Sequence, residues 1–576
     1  MDVRTRVGAW LLVGSALAVV PGGFDTFALP KLAVAALAIA VVLAAPGGGR
    51  LPVPVVGLLA AGVVIGVVVA IVHPGVAASL VGRWPRYEGL PTAAVYASAL
   101  IAGARSVTSG QSARDLLEFP FVALSGVCAV AAVFDLAGHD LLGFEGHRIG
   151  GFLGNASDLG MLMALVFAVL AGWQLVERTG VGAVGAALAL FVVATTGSRA
   201  AYLAVVAVVA VLALSGARRR VVFAGSGVLV FLAALVAAIP GSRDRILSGH
   251  TVEGRELLWG ETLRLLRDHP WGVGPSRFVD AIPRYHDWTW IDRVGWQNPP
   301  DSAHMWVLQV AVIGGLPLLV AVVAAAVLGA QEAVRSAAHD QLRWALIAGV
   351  VAYGVGLLTH FTGPGTTPIA AFVAGAACTR AAVQESRTPA TATRARRLPV
   401  LGVTVMAVIA LGAGLGAVGE RSWQRGVDLA AAGDIPAADA AFVRARRWLP
   451  WDADLPGIAA QSFAGAASSG DDAAAKATLR WADRALERTP RSAPTLTARA
   501  VAAITLRDGV AAQRDLDRAL AIDPWDPRTW IQVGVVRAAS GDFDGAERAL
   551  ARALRIDPGN AQAAGLLRQV RGLAAE

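Results

Sequence analysis

DSAHMWVLQVAVIGGLPLLVAVVAAAVLG, residues 301–329, opens polar and becomes almost wholly apolar from Met305. The run from His304 to Gly329 exceeds the roughly 20 residues that an α-helix needs to cross a bilayer. Similar runs recur at about 8–21, 27–45, 52–72, 90–104, 115–134, 158–176, 181–196, 200–215, 221–240, 341–359, 366–379 and 399–418. The whole chain is 55% hydrophobic and 16% charged, with a mean hydropathy of +0.57. A soluble domain carries about 25% charged residues. The expected fold is therefore all-α, a polytopic transmembrane helix bundle of about 12–13 spans. Glycines and prolines within the runs do not oppose this, because spanning helices tolerate both.

The net charge of +8 does not point to nucleic acid. The basic residues are almost all arginine and sit mostly in short links between apolar runs, where the positive-inside rule places them. With the N-terminus (Arg4, Arg6) in the cytoplasm, the inside links hold Arg50, Arg105, Arg114, Arg178, Arg218–Arg220, Arg335, Arg343, Arg380, Arg387, Arg394, Arg396 and Arg397. Short outside links hold only Lys31, Arg83, Arg86, Arg148 and Arg199. The N-terminal run lacks a small-residue cleavage site and reads as a retained anchor. Cys128 and Cys378 lie in separate apolar segments, which suggests neither a disulfide framework nor a metal site.

The expected organisation is membrane helices over 1–240, a large outside loop over 241–303, further spans over 304–380, a cytoplasmic basic link over 381–398 and a last span over 399–418. Residues 420–576 differ in kind. Pro490, Pro524 and Pro558 close similar Ala- and Arg-rich segments 34 residues apart, and Pro450 lies 40 residues before the first of them. Glycines and alanines recur at matching offsets, so two helices of each unit can approach closely and the proline ends the second. This resembles the tetratricopeptide repeat, an α-solenoid that binds a partner or organises an assembly. Parity places it outside the cell membrane.

Unusual polar residues gather on the outside face. Arg83 and Arg86 in "GRWPRYEGL" break the charge rule. They are snorkelling anchors beside Trp84 or a fork for a phosphate or pyrophosphate. In "GHRIGGFLGNASDLG", with His147, Arg148 and Asp158, Asn155 is either a helix cap or a binding residue. Arg199 opens a span at the membrane boundary, where a charge either snorkels or faces a polar cavity. The outside loop predicts an amphipathic helix over 255–267, followed by a sharp turn at "DHPWGVGP". Arg255, Arg264 and Arg277 lie in this loop, whose arginines would attract a polyanionic headgroup. Asp301 precedes His304 by three residues, so it orients the imidazole or caps the helix. His304 itself reads as a cap, a core residue or a base.

Taken together, "GNASDLG", "GSRAAYLA", "GRELLWGETLRLLRDHPWGVGPSRF" and "AHMWVLQVAVIGGLP" resemble the O-antigen ligase and O-antigen polymerase superfamily over about residues 80–375. The resemblance implies a GT-C-like membrane glycosyltransferase that inverts the anomeric centre and uses no metal or cofactor. It implies that a glycan moves from an undecaprenyl pyrophosphate carrier to an acceptor hydroxyl on a glycan, glycolipid or protein. It places this chemistry at the outer face of a bacterial cytoplasmic membrane. Carried onto this chain, it gives His304, Arg255 and Arg199 catalytic roles, with Arg83 or Arg86 matching a basic position in the early loop. Substrate binding is expected at Arg83, Arg86, Asn155, Arg264, Arg277 and Asp301. Met305 stands where many members have a small polar residue. A polymerase of the same superfamily is the alternative. A transporter would favour inverted repeats and charges spread through the spans, and a scaffold would leave Arg199, Arg255 and His304 without a role.

Overall fold

The computed structural model describes residues 1–73, 75–139, 149–215, 218–238, 250–297, 299–381 and 389–575. His147 and Arg148 lie outside these residues, as do 241–249 at the head of the large loop and 382–388 of the basic link. The described chain is all-α apart from a short antiparallel pairing of Gly49–Arg50 with Arg380–Ala381.

Helices occupy the apolar runs: α1 (Val3–Gly14), α2 (Ala28–Leu43), α3 (Val53–Val72), α4 (Val76–Val81), α5 (Leu90–Ser106), α6 (Gly110–Leu136), α7 (Ala156–Val176), α8 (Gly180–Thr195), α9 (Arg199–Ala213) and α10 (Arg218–Ala238). The large loop forms α11 (His250–Asp268), α12 (Phe278–Ala281) and α13 (Trp288–Arg293). Then follow α14 (Trp306–Ala337), α15 (Arg343–Gly356), α16 (Thr367–Ala377) and α17 (Pro389–Ala431). Among the described residues, six helices are long and apolar enough to cross a membrane, and five more are apolar but shorter. This is a multi-pass membrane protein.

Local sequence explains many of the helix starts. Ser109 and Ser112 form a reciprocal capping box at α6, and Thr179 and Ser198 cap α8 and α9. Of the six helices of spanning length, α7 is the most deeply enclosed; it packs on α8, α9 and α15. Close crossing relies on small residues. A Cβ on Gly103 of α5 would lie 1.9 Å from the Phe372 carbonyl oxygen of α16. In a bilayer such approach replaces the hydrophobic drive that water supplies elsewhere.

One break in α14 fixes the large loop. Gly314 and Gly315 leave helical geometry, and Gly315 adopts φ +67°. The break frees two backbone groups inside the helix. The Leu316 N–H donates to Pro270 O (3.2 Å), and Val312 O accepts from the Val273 N–H (2.8 Å). The turn expected at "HPWGVG" is thus seated directly on the spanning helix. Above it, Leu258, Leu265, Phe278, Ile282, Trp290 and Ile291 form a separate apolar core. The loop is consequently a folded cap on one end of the bundle.

The repeat domain contributes eight further helices, α18 (Ile435–Trp448), α19 (Leu455–Ser468), α20 (Asp472–Arg488), α21 (Ala493–Thr505), α22 (Gly509–Ile522), α23 (Pro527–Ala539), α24 (Phe543–Ile556) and α25 (Ala561–Ala575). They are joined to the bundle without a linker, because α17 runs unbroken through residues 418–420 into the first repeat. Gly426 of α17 already packs against the Phe442 ring of α18. The solenoid also folds back onto the loop. Arg552 lies 4.3 Å from the Trp288 ring centroid and 5.0 Å from that of Trp525, and Arg555 lies 3.8 Å from Trp288.

Candidate functional site

Five segments distant in sequence converge at the loop-capped end of the bundle. The 82–89 turn supplies Arg86 and Glu88, the start of α7 supplies Asp158, and α11 supplies Arg255. The approach to α14 supplies Asp301, Ser302 and His304, and the short link after α15 supplies His360, Phe361 and Thr362.

His304 is at the centre. Its φ of +47° is rare for a residue with a side chain. Three elements hold its neighbours there. The Ala303 N–H donates to Gln309 Oε1 (3.0 Å), Trp259 Nε1 donates to Ala303 O (3.1 Å), and the Trp306 N–H donates to Leu357 O (3.0 Å). Strain maintained by its surroundings in this way is characteristic of functional positions. Because Met305 is the N-cap of α14 and makes no side-chain cap bond, neither Asp301 nor Ser302 caps that helix.

Burial lowers the His304 pKa to about 4; Asp301 opposes the shift, while His360, Arg86 and Arg255 reinforce it. The imidazole is therefore neutral near pH 7 and keeps a free lone pair. Its ring meets Phe361 edge-on with centroids 5.2 Å apart, and the His360 ring centroid lies 6.2 Å away. His360 Nε2 lies 3.3 Å from Asp158 Oδ1, without the alignment of a hydrogen bond.

Arg86 connects the early turn to this centre. Its Nε forms an ion pair with Asp301 Oδ2 (3.0 Å), its Nη2 donates to Asp301 O (2.8 Å), and its guanidinium covers Phe361 at 4.3 Å. Glu88 accepts from the Thr362 hydroxyl, and burial raises its pKa against the pull of Arg86. Several buried polar atoms here lack a hydrogen-bond partner: Arg86 Nη1, Asp158 Oδ1, Ser302 Oγ, His304 Nδ1 and His360 Nε2. Buried polar groups are ordinarily satisfied. A cluster left open at one place suits a polar ligand.

The remaining sequence-derived positions divide. Arg255 is close enough to act on His304 electrostatically, and Arg199 stands at the first turn of α9 behind the Ser198 cap. Asn155 is a helix cap, accepting from the Ser157 and Asp158 N–H groups, so its carbonyl is committed to orienting Asp158. Arg83 is also committed. Its Nη1 donates to Asp280 (2.6 Å), and its Nε and Nη2 donate to Asp454 Oδ1 (2.9 and 2.7 Å), tying the loop to the repeat domain. Arg264 is exposed and donates to Tyr285 O. Arg277 donates to Ser79 Oγ and lines a different cavity.

Sequence reasoning missed His360 and Phe361. The signal was available, since a histidine ends the run at 341–359 and the same parity count puts its link on the outside face. Gln309, within "AHMWVLQVAVIGGLP", carries no sequence signal of its own; its side chain holds the Ala303 backbone next to His304.

Residues 184–323 match the O-antigen ligase family, and residues 503–570 match the tetratricopeptide repeat family. The first match contains Arg199, Arg255, Asp301 and His304. No curated protein matches the chain. The chain is similar to the first TPR domain of human RPAP3, with 18% identity, 21% of this chain and 92% of that one covered, and a TM-score of 0.19. It is also similar to a thermophilic TPR protein of Thermus thermophilus, with 16% identity, 31% and 96% covered, and a TM-score of 0.24. For yeast Tom70 the identity is 12%, the coverage 81% and 94%, and the TM-score 0.21.

Proposed function

We propose that this protein is an inverting glycosyltransferase of the O-antigen ligase type. It moves a glycan from undecaprenyl pyrophosphate to an acceptor hydroxyl at the outer face of the cytoplasmic membrane. The carrying observation is the cluster of buried polar atoms without a hydrogen bond around His304, set among arginines within and beside the stretch that matches the ligase family. Arg86, Arg255 and Arg199 hold the pyrophosphate and stabilise the charge it gains as it leaves. The acceptor oxygen attacks the anomeric carbon from the opposite face. The bond to the pyrophosphate oxygen breaks, and its electron pair leaves with that oxygen.

The acceptor proton goes to His304. A pKa of about 4 makes this imidazole a weak base before the donor arrives. The negative charge of bound pyrophosphate raises that value, so the donor itself prepares the base. His360, beside Asp158, positions the acceptor. The leaving group is already stable as an anion, so the reaction needs no second carboxylic acid of the glycosidase kind. Nor does it need a metal, since the arginines supply the positive charge. Outside the site, the repeat domain offers a surface for a protein partner.

Reconstitution with a lipid-linked oligosaccharide and candidate acceptors tests this reading. His304→Ala and Arg255→Ala are expected to lower transfer by about 10²–10⁴-fold while keeping the wild-type melting temperature. Transfer at the wild-type rate by both variants would overturn the assignment.

A further inference from the structure

A second cavity lies apart from the His304 centre, where the large loop, α4 and the repeat domain meet. Arg277 and Arg284 of the loop line it with Arg488 and Arg491 of the solenoid. Arg83 and Asp280 form its inner wall, and their charges are engaged with each other and with Asp454. That trio is net negative by one, against four further guanidinium groups.

Among the described residues, neither Arg284 nor Arg491 has a carboxylate partner. Arg488 donates to the Pro450 and Asp452 carbonyls, which leaves its charge uncompensated. Gly75 permits the crowding: a Cβ there would lie 2.6 Å from Arg488 O and 3.2 Å from Arg277 Nη2. Like charges gathered in one concave place repel one another. The arrangement is therefore suited to an anion, and a planar guanidinium fork suits phosphate.

The cavity sits where a lipid-facing surface ends. Helix α3 is apolar and mostly unburied, with Val68, Ile71 and Val72 all exposed. The next residue, His73, already lines the cavity. An amphiphile could thus lay its chains along α3 and its headgroup among the arginines.

We infer that this cavity is a second anion site that takes a phosphate group at the level of the membrane surface, and that the loop and the repeat domain build it jointly. It is separate from the proposed transfer site and does not depend on the reaction assigned there. A phospholipid headgroup and free phosphate share this chemistry.

The test uses the full-length protein in detergent, with dioctanoyl phosphatidylglycerol in one arm and inorganic phosphate in the other. Affinity is read by calorimetry. Dioctanoyl phosphatidylcholine, which is zwitterionic, is the control. Wild type is expected to bind phosphatidylglycerol saturably, and the exposed pair Arg284→Gln/Arg491→Gln to weaken it about tenfold or more. Arg284→Lys/Arg491→Lys is expected to retain most of the binding. If phosphate competes with the lipid, the phosphate group alone is recognised; if only the lipid binds, α3 contributes to recognition. Both results support the site. Unchanged affinity in the glutamine variant, equal binding of phosphatidylcholine, or no binding of either phosphate probe would overturn it.

Discussion

Arg83 separates two roles that look alike in sequence, a pyrophosphate grip and a domain clamp. Its guanidinium meets Asp280 at 2.6 Å and Asp454 at 2.7 Å, and the three side chains are only 13%, 21% and 12% exposed. Arg83→Ala would leave two buried carboxylates facing an empty space. Breaking one side of such a buried pair costs about 3–5 kcal/mol. Burial already raises the Asp280 pKa against the pull of Arg83, so part of that cost is relieved by proton uptake. The rescue is informative. Arg83→Met combined with Asp280→Asn and Asp454→Asn removes all three charges and retains an acceptor for the Trp84 N–H, which now donates to Asp454 Oδ2 at 3.0 Å. Replacing a whole buried ion cluster is often neutral. The single variant is therefore expected to melt several degrees below wild type and to transfer glycan poorly. The triple variant is expected to recover both properties. Melting in detergent and transfer by the same preparation provide the readouts. Wild-type stability in Arg83→Ala with lost transfer, or a stable triple variant without transfer, would refute the clamp and restore Arg83 to the substrate.

Gly315→Ala tests the docking of the loop. Its Cβ would lie 2.4 Å from Pro270 O at a positive φ, so the strain and the two threatened backbone bonds together amount to about 3–5 kcal/mol; faster proteolysis of residues 250–297 is expected, and unchanged cleavage would count against it. A pH effect follows from His304. Its folded pKa of about 4 lies below the ordinary value of about 6.5, so the unfolded chain takes up this proton first as pH falls. This group therefore leaves stability unchanged above pH 6.5 and lowers it by up to about 3 kcal/mol as pH falls through 6.5 to below 4. His304→Gln is expected to flatten the dependence of melting temperature on pH over that window, and an unchanged slope would contradict the burial argument. Arg552→Ala removes a guanidinium held between Trp288 and Trp525, with an expected loss of about 1 kcal/mol; equal protease resistance of the loop in variant and wild type would deny this contact a role in docking.

Sequence alone determined the parts of this protein governed by repetition and local chemistry. Apolar runs of spanning length marked the helical bundle because a bilayer demands internally satisfied backbone over a fixed thickness. The 34-residue spacing of Pro490, Pro524 and Pro558 marked the solenoid because each repeat uses the same small-residue contacts. Asn155 could be read as a cap from its position before an apolar run. Relations between distant segments were decided only by the tertiary structure. Arg83 and Arg86 are three residues apart in one turn, yet one clamps Asp454 and the other reaches Asp301 and Phe361. Their partners lie hundreds of residues away, and no local pattern encodes which arginine meets which carboxylate. His360 was likewise visible as a residue but not as a neighbour of His304, because their juxtaposition depends on how α14 and α15 pack. The repeat domain also looked separable in composition. Its fusion through α17 and its folding back onto Trp288 make it part of the wall around the loop, a consequence of packing rather than of sequence order.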